Sequence, residues 1–377
     1  MSFGPLVPDY CSHGSAPHRC DRRFVLIGEA PGTRESELGL PFVGKSGSKL
    51  GEWLESIEWN RSMLYITNSY PFKPASFTDD INVVPKAEIE HWSEELHKRI
   101  AQLADPWMLI PMGNTALRAI LSRCMDIADK KPSILNYRGS ILEYTDLNNR
   151  KIKVIPTIHP AAVLRMAYWE KRVRHDWLRI KEESFFREVI VPQRTHIINP
   201  KYNEIAQFAD EVKARRKDGI MAVDIETDPP TNRMLCIAFA YDPMLSITLP
   251  LEGVDSPYKR MCWSAAKAFC ESPIAKVLQN GSFDRYHLYF NAINLRNYKW
   301  DCMDLFHLLD PNEDHSLAFL ASIFTKERYY KQERKEGGSG SFEYSVLLKY
   351  CGKDSCVTRE ILDPLIEWAK HEEATAE

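Results

Sequence analysis

Short apolar runs alternate with segments whose apolar residues recur every three or four positions through the first half of the chain. Residues 23–28, 63–67, 107–113 and 151–158 read as buried strands. Between them Leu50, Trp53, Leu54 and Ile57 fall at helical spacing, as do Ile89, Trp92, Leu96 and Ile100, and residues 115–124 and 161–180 read as helices. Strands alternating with helices predict an α/β unit: a largely parallel sheet covered on both faces, in three α/β/α layers. Such a sheet binds ligands beyond the carboxyl ends of its strands. Those ends carry Gly28-Glu29-Ala30-Pro31-Gly32, Asn68, Gly113-Asn114 and His159-Pro160.

A crossing segment at 187–200 leads into a second pattern. Residues 195–199, 220–226, 234–241 and 245–251 read as strands, three of them close enough for a meander, and helical stretches follow to the end, an α+β arrangement. The expected domains are 1–190 and 191–377. Gly337-Gly338-Ser339-Gly340 reads as a flexible loop.

A length of 377 residues suits two or three domains, and 27% charged with 44% hydrophobic residues excludes disordered and fibrous classes. No apolar run approaches the ~20 residues that cross a bilayer, so no membrane association is expected. Nine scattered cysteines suit a reducing cytoplasm better than a disulfide framework. The net charge of −3 conceals an asymmetry: 27 basic against 24 acidic residues in 1–200, and 22 against 28 in 201–377. Residues 151–181 hold eight basic side chains (Lys151, Lys153, Arg165, Lys171, Arg172, Arg174, Arg179 and Lys181) and two acidic ones, a stripe able to line phosphates or simply to face solvent.

Gly28 to Gly32 follows a strand directly and should form a tight loop presenting backbone N–H groups and Glu29. Pro41-Phe42-Val43-Gly44-Lys45-Ser46-Gly47 reads as an exposed aromatic on a turn before a helix. Together with Asn68, Arg138-Gly139 and Ile158-His159-Pro160-Ala161, this series resembles the uracil-DNA glycosylase superfamily, most closely family 4, over roughly residues 20–180. The resemblance implies that Phe42 stacks on a flipped base, Asn68 reads the uracil edge, and His159 hydrogen-bonds the carbonyl oxygen where charge grows. It implies that Glu29, with Gly28 and Ala30, helps bind uracil and position water, and that the basic stripe, Arg165 included, holds strand phosphates. Two departures stand out. Family 4 carries four cysteines for an iron–sulfur cluster, but Phe72 stands where one is expected and no Cys-x-x-Cys pair exists, so no cluster is expected. Ser36 replaces an acid that often follows the counterpart of Glu35, and Ala30 stands where other branches place a water-activating aspartate.

The segment 39–46 also satisfies the P-loop pattern, with residues 220–224 resembling its magnesium-binding strand. A P-loop must join a strand directly to a helix, whereas polar residues 33–37 precede Gly39, which argues against nucleotide hydrolysis. Cys11, His13, His18 and Cys20 offer soft ligands for zinc at a spacing that matches no common module; a mobile tail is the other reading.

In the second half, Asp224-Ile225-Glu226 puts two carboxylates on one face of a strand. Asn280-Gly281-Ser282-Phe283-Asp284 follows another strand and opens a helix, and a spacing of four places Tyr350 and Asp354 on one side of a late helix. In this order the three motifs look like those of DEDD-type 3′–5′ proofreading exonucleases, tyrosine subclass, as in family A DNA polymerases, over roughly 195–370. The resemblance implies a ribonuclease-H-like fold, with Asp224, Glu226, Asp284 and Asp354 holding two Mg²⁺ or Mn²⁺ ions, Tyr350 orienting water, and Asn280 contacting substrate. Asp301 and Asp304 read as helix-surface and packing residues. Only 23 residues follow Asp354, so no polymerase palm is expected. The whole reads as an exonuclease joined to a glycosylase-like domain, acting on DNA in a phage-type replisome with a polymerase subunit, in the host cytoplasm. The other reading is an exonuclease whose glycosylase-like domain is inactive and serves as a DNA- or polymerase-binding module.

Overall fold

The computed structural model describes residues 5–12, 20–75, 81–124, 127, 131–215, 219–333 and 344–376. The chain separates into two compact units, Met1–Val191 and Pro192–Glu377.

The first unit is built on a five-stranded sheet of β1 (Phe24–Gly28), β2 (Leu64–Asn68), β3 (Met108–Pro111), β4 (Leu142–Thr145) and β5 (Lys151–Val154). Their order is β2-β1-β3-β5-β4, with all pairs parallel except β4 against β5. Alternation sends Leu26, Leu64, Ile66 and Ile110 to one face, where they form one apolar cluster with Leu50, Trp53 and Leu54 of helix Lys45–Ser56 and Val173, Trp177 and Ile180 of helix Glu170–Glu183. Thr67 points to the other face and accepts from Arg99 of helix Lys86–Gln102, so helices cover both sides. The chain leaves β1 toward β2 on one side and reaches β3 on the other, which opens a crevice at the carboxyl ends.

Three expectations need correction here. β3 and β5 are four residues each rather than the seven or eight read from the apolar run, because the chain turns toward the crevice once past the sheet. The antiparallel β4 was not anticipated; four residues give little periodicity. The single helix expected over 161–180 is broken into Pro160–Arg165 and Glu170–Glu183 by a short turn, Ala167–Trp169.

The second unit holds a six-stranded sheet in the order β11-β10-β7-β8-β9-β6. Its strands are β6 (Thr195–Ile198), β7 (Ile220–Thr227), β8 (Met234–Asp242), β9 (Leu245–Pro250), β10 (Ala275–Leu278) and β11 (Tyr298–Asp301). β7, β8 and β9 form the expected antiparallel meander, while β10, β11 and β6 add parallel edges. Helix Tyr344–Ala376 lies against β7, β8 and β9. Gly352 permits that approach: a Cβ there would sit 2.6 Å from Ser246 Oγ and 2.9 Å from Thr248 Oγ1. The glycine-rich segment 337–340 lies outside the described residues.

Candidate functional sites

In the first unit Gly28 and Asn68 are paired in register at the ends of β1 and β2. A Cβ on Gly28 would lie 2.4 Å from Asn68 Oδ1 and 2.6 Å from Phe42 Cζ, so only glycine lets the amide and the ring meet over the strand end. Phe42 takes a left-handed φ of 53°, unusual for a bulky residue. Its turn is held from the backbone. The Arg61 guanidinium donates to the carbonyls of Pro41 and Phe42, and the Glu35 carboxylate accepts from Val43 N and Gly44 N. Gly47 completes the arrangement, since a Cβ there would fall 1.9 Å from the Phe42 carbonyl oxygen. Phe42 is not the exposed aromatic expected: it is 7% exposed, folded down over the sheet with its centroid 5.7 Å from that of His159.

His159 caps the helix Pro160–Arg165, its Nδ1 accepting from Ala161 N at 3.2 Å. That bond leaves the ring proton on Nε2 when the imidazole is neutral. Burial, with Arg165 nearby, pulls its pKa down to about 4, so the ring is uncharged at neutral pH. The Glu29 carboxylate accepts from the Thr115 hydroxyl, and its carbonyl accepts from Ser69 Oγ and Tyr70 N. Glu29, Ala30, Phe42, Asn68, His159 and Arg165 all line one cavity of about 840 Å³. Gly28, expected to bind substrate directly, is not on its wall; it lies behind Phe42 and Asn68 and makes room for both. Arg138 lies away from this wall, in a buried ion pair with Asp176 (2.6 Å).

The basic stripe does not form one phosphate-facing surface. Lys153 is buried against Glu183 (2.7 Å), Arg179 donates to Gly139 O, and Lys181 pairs with Glu58. The helix Glu170–Glu183 packs Val173, Trp177 and Ile180 onto the sheet, which carries part of the stripe inward; Lys151, Arg165, Lys171 and Arg174 remain exposed. The P-loop-like segment has no strand before it, only helix Thr33–Leu38. Cys11 and Cys20 form a disulfide with Cα atoms 6.3 Å apart, which removes two of the four proposed zinc ligands and corrects the all-thiol expectation for this one pair. His13 and His18 lie outside the described residues. Phe72 packs edge-on against Tyr70 and Trp92, with centroids 5.7 and 5.2 Å away.

In the second unit, carboxylate oxygens of Asp224 and Glu226 on β7 and of Asp354 on helix Tyr344–Ala376 lie within 4.8 Å of one another. Asp284, in the first turn of helix Gly281–Phe290, ties itself to the same strand by accepting from Ile225 N at 3.1 Å. All four, with Asn280 and Tyr350, line a pocket of about 260 Å³. Burial first, then the neighbouring carboxylates, pushes Asp224 well above the usual carboxylate range; burial likewise pushes Asp284 up to about 8. Asp224 Oδ2 is buried without a hydrogen-bond partner. An unpartnered carboxylate oxygen facing two more carboxylates is the donor set that a divalent cation satisfies, so the residues fit a metal centre.

Asp301, assigned above to surface or packing, positions this site. Its carboxylate accepts from Asn280 N, Gly281 N and the Tyr298 hydroxyl. It thereby holds Asn280 at the positive φ of 60° that starts the helix. Lys331 and Tyr330 escaped the sequence reading altogether. Lys331 Nζ donates to Asp354 Oδ2 and the Tyr330 hydroxyl to Asp354 Oδ1. Adjacent tyrosines before a lysine, in a segment without periodicity, give no signal of this role.

Comparison with known proteins finds a family match for each unit. The family model of the Uracil DNA glycosylase superfamily matches residues 17–181, and that of a 3′–5′ exonuclease matches 201–367. The type-4 uracil-DNA glycosylase of Thermotoga maritima is 32% identical over 145 residues, covering 38% of this chain and 68% of that protein. The type-4 enzyme of Archaeoglobus fulgidus is 32% identical over 159 residues, covering 42% and 75%. Among solved structures, the POL domain of Pol1 from M. smegmatis overlays at a TM-score of 0.36 with 12% identity, over 47% of this chain and 28% of that one. The apo form of a nuclease overlays at 0.36 with 13% identity, over 48% and 84%. The chain belongs to the uracil-DNA glycosylase superfamily through its first unit and carries a 3′–5′ exonuclease domain in its second.

Proposed function

We propose that the protein is a metal-dependent 3′–5′ exodeoxyribonuclease that also excises uracil from DNA, with functional domains 1–190 and 191–377. The observation that carries the reading is the convergence of Asp224, Glu226 and Asp354 within 4.8 Å, with one buried oxygen left unpartnered. Asp224, Glu226, Asp284 and Asp354 would hold two Mg²⁺ or Mn²⁺ ions. Such ions, when bound, polarise the scissile phosphate and stabilise its attacking and leaving oxygens. Tyr350, 4% exposed and on the pocket wall, orients the attacking water, and Asn280 borders the departing nucleotide.

In the first unit Phe42 supplies a platform for an everted pyrimidine, and the Asn68 amide matches the donor and acceptor on its edge. His159 donates from Nε2 to the carbonyl oxygen that gains charge as the glycosidic bond breaks. Glu29 positions the attacking water, and Arg165 at the mouth meets a phosphate. This completeness of the cleft favours an active glycosylase over a module that only binds DNA. The finer setting, a phage-type replisome in the host cytoplasm with a polymerase subunit as partner, rests on the likeness of the acidic motifs to polymerase proofreading domains.

Labelled single-stranded DNA, with and without one uracil, tests the reading. Alkali-sensitive breaks at uracil should persist in EDTA and vanish in Asn68→Ala and His159→Ala. Shortening from the 3′ end should require the metal and vanish in Asp224→Ala. A protein that shortens DNA but leaves every uracil in place would be an exonuclease with a silent glycosylase cleft.

A further inference from the structure

The helix Gly281–Phe290 turns Asp284 inward and a row of rings outward. Phe283 is 44% exposed, Tyr286 58%, Tyr289 79% and Phe290 68%. Positions 283, 286 and 290 follow the i, i+3, i+7 spacing of one helix face, with Tyr289 on its flank. The Tyr286 and Phe290 rings lie 4.6 Å apart at 54°, and Tyr289 meets Phe290 at 6.0 Å. Four large rings concentrated on ten residues of surface mark a contact site rather than scattered exposure.

We propose that this stripe is the track for the single-stranded DNA next to the nucleotide being removed, with successive bases stacking on Tyr286, Phe290 and Tyr289. The proposal rests on the exonuclease reading above. Two features favour a strand over a protein partner. The stripe is continuous with the acidic pocket, because Phe283 lines both the pocket wall and the start of the row. That pocket, about 260 Å³, has room for little more than one nucleotide, so the rest of a strand must leave along a wall. The seven helical steps from Phe283 to Phe290 span about 10 Å, the rise of roughly three stacked bases. The composition also suits nucleic acid. The shallow groove beside the helix exposes rings together with Ser282, Arg285, Ala292 and Asn294, while its larger aliphatic members are buried (Ile293) or half-buried (Leu295). Arg285, with its guanidinium 5.3 Å from the Tyr298 centroid, places a cation where phosphates would pass. Aromatic faces accept any base, as an enzyme that removes nucleotides regardless of sequence requires.

The test uses the full chain and two substrates. One is a 5′-labelled oligothymidylate of sixteen residues. The other is the p-nitrophenyl ester of thymidine 5′-monophosphate, which reaches only the acidic pocket. In the triple variant Tyr286→Ala, Tyr289→Ala, Phe290→Ala, the KM for the oligonucleotide should rise at least about tenfold, from stacking lost at several bases. Its kcat and the turnover of the small ester should stay within about twofold, and the Phe-for-Tyr variant at 286 and 289 should behave as wild type. Anisotropy of the labelled oligonucleotide, with Ca²⁺ in place of the active metal, should show the same weakening without turnover. The exposed positions should leave the melting temperature unchanged. Equal oligonucleotide KM and equal anisotropy in wild type and variant overturn the track, as expected if the face docks a protein. Failure of wild type to cleave either substrate would instead sink the exonuclease reading, and the anisotropy arm would still decide whether the stripe binds DNA.

Discussion

Lys331 Nζ sits 2.6 Å from Asp354 Oδ2, inside the acidic pocket, while the Tyr330 hydroxyl takes the other oxygen of the same carboxylate. An ammonium group therefore neutralises part of the charge that a cation would otherwise meet. Removing it with Lys331→Met should tighten Mn²⁺ binding by about tenfold, a modest share of the attraction between charges ~4 Å apart near a protein surface. Calorimetric titration of Mn²⁺ without DNA reads this directly, and weaker binding would refute the relationship.

A methyl group at position 28 would collide with Asn68 and Phe42 together. Gly28→Ala should therefore reduce uracil release by about a hundredfold or more, the usual consequence of displacing reacting groups by an ångström. Exonuclease activity on uracil-free DNA serves as the control and should be unchanged.

The buried His97 ring bonds to the Tyr144 hydroxyl at 2.8 Å and to Ser122 at 3.1 Å, and burial holds its pKa down at about 4. The unfolded chain takes up this proton near pH 6.5, the folded chain only near 4. Stability should accordingly fall as pH drops through that window, by up to about 3 kcal/mol from this group. His159 and His196, likewise held near 4, act in the same direction. Urea midpoints measured from pH 7 to 4 should show a shallower decline in His97→Gln.

Gly352→Ala would force a methyl against Ser246 and Thr248. Overpacking of this kind costs about 1–3 kcal/mol, so the second unit should melt several degrees lower. Helix Tyr344–Ala376 carries Tyr350 and Asp354, so exonuclease turnover should decline, while uracil release stays intact.

The acidic residues were legible because each motif is local: Asp224 and Glu226 share a strand face, and Tyr350 and Asp354 share a helix face, whatever the rest of the chain does. The crevice residues were legible because strand ends announce themselves as polar breaks after apolar runs. Lys331 was not, since its meeting with Asp354 depends on how a non-periodic segment returns to a helix 23 residues later. The solvent-facing reading of Lys153 failed for a related reason. A lysine in a strand of four residues looks exposed until its buried partner Glu183, thirty residues away, is known. Asp301, read as a surface or packing residue, was not legible either: it caps the next helix at Met303 N, and its hold on Asn280 and Gly281 is tertiary.

Arg61 and Glu35 grip the peptide groups around Phe42 and leave its ring alone. The turn is thus held independently of the ring, which is itself fitted closely over Gly28. Loss of either charged support would release the loop whichever ring it bore. Attempts to retune which base the cleft admits should begin at the ring and spare residues 35 and 61.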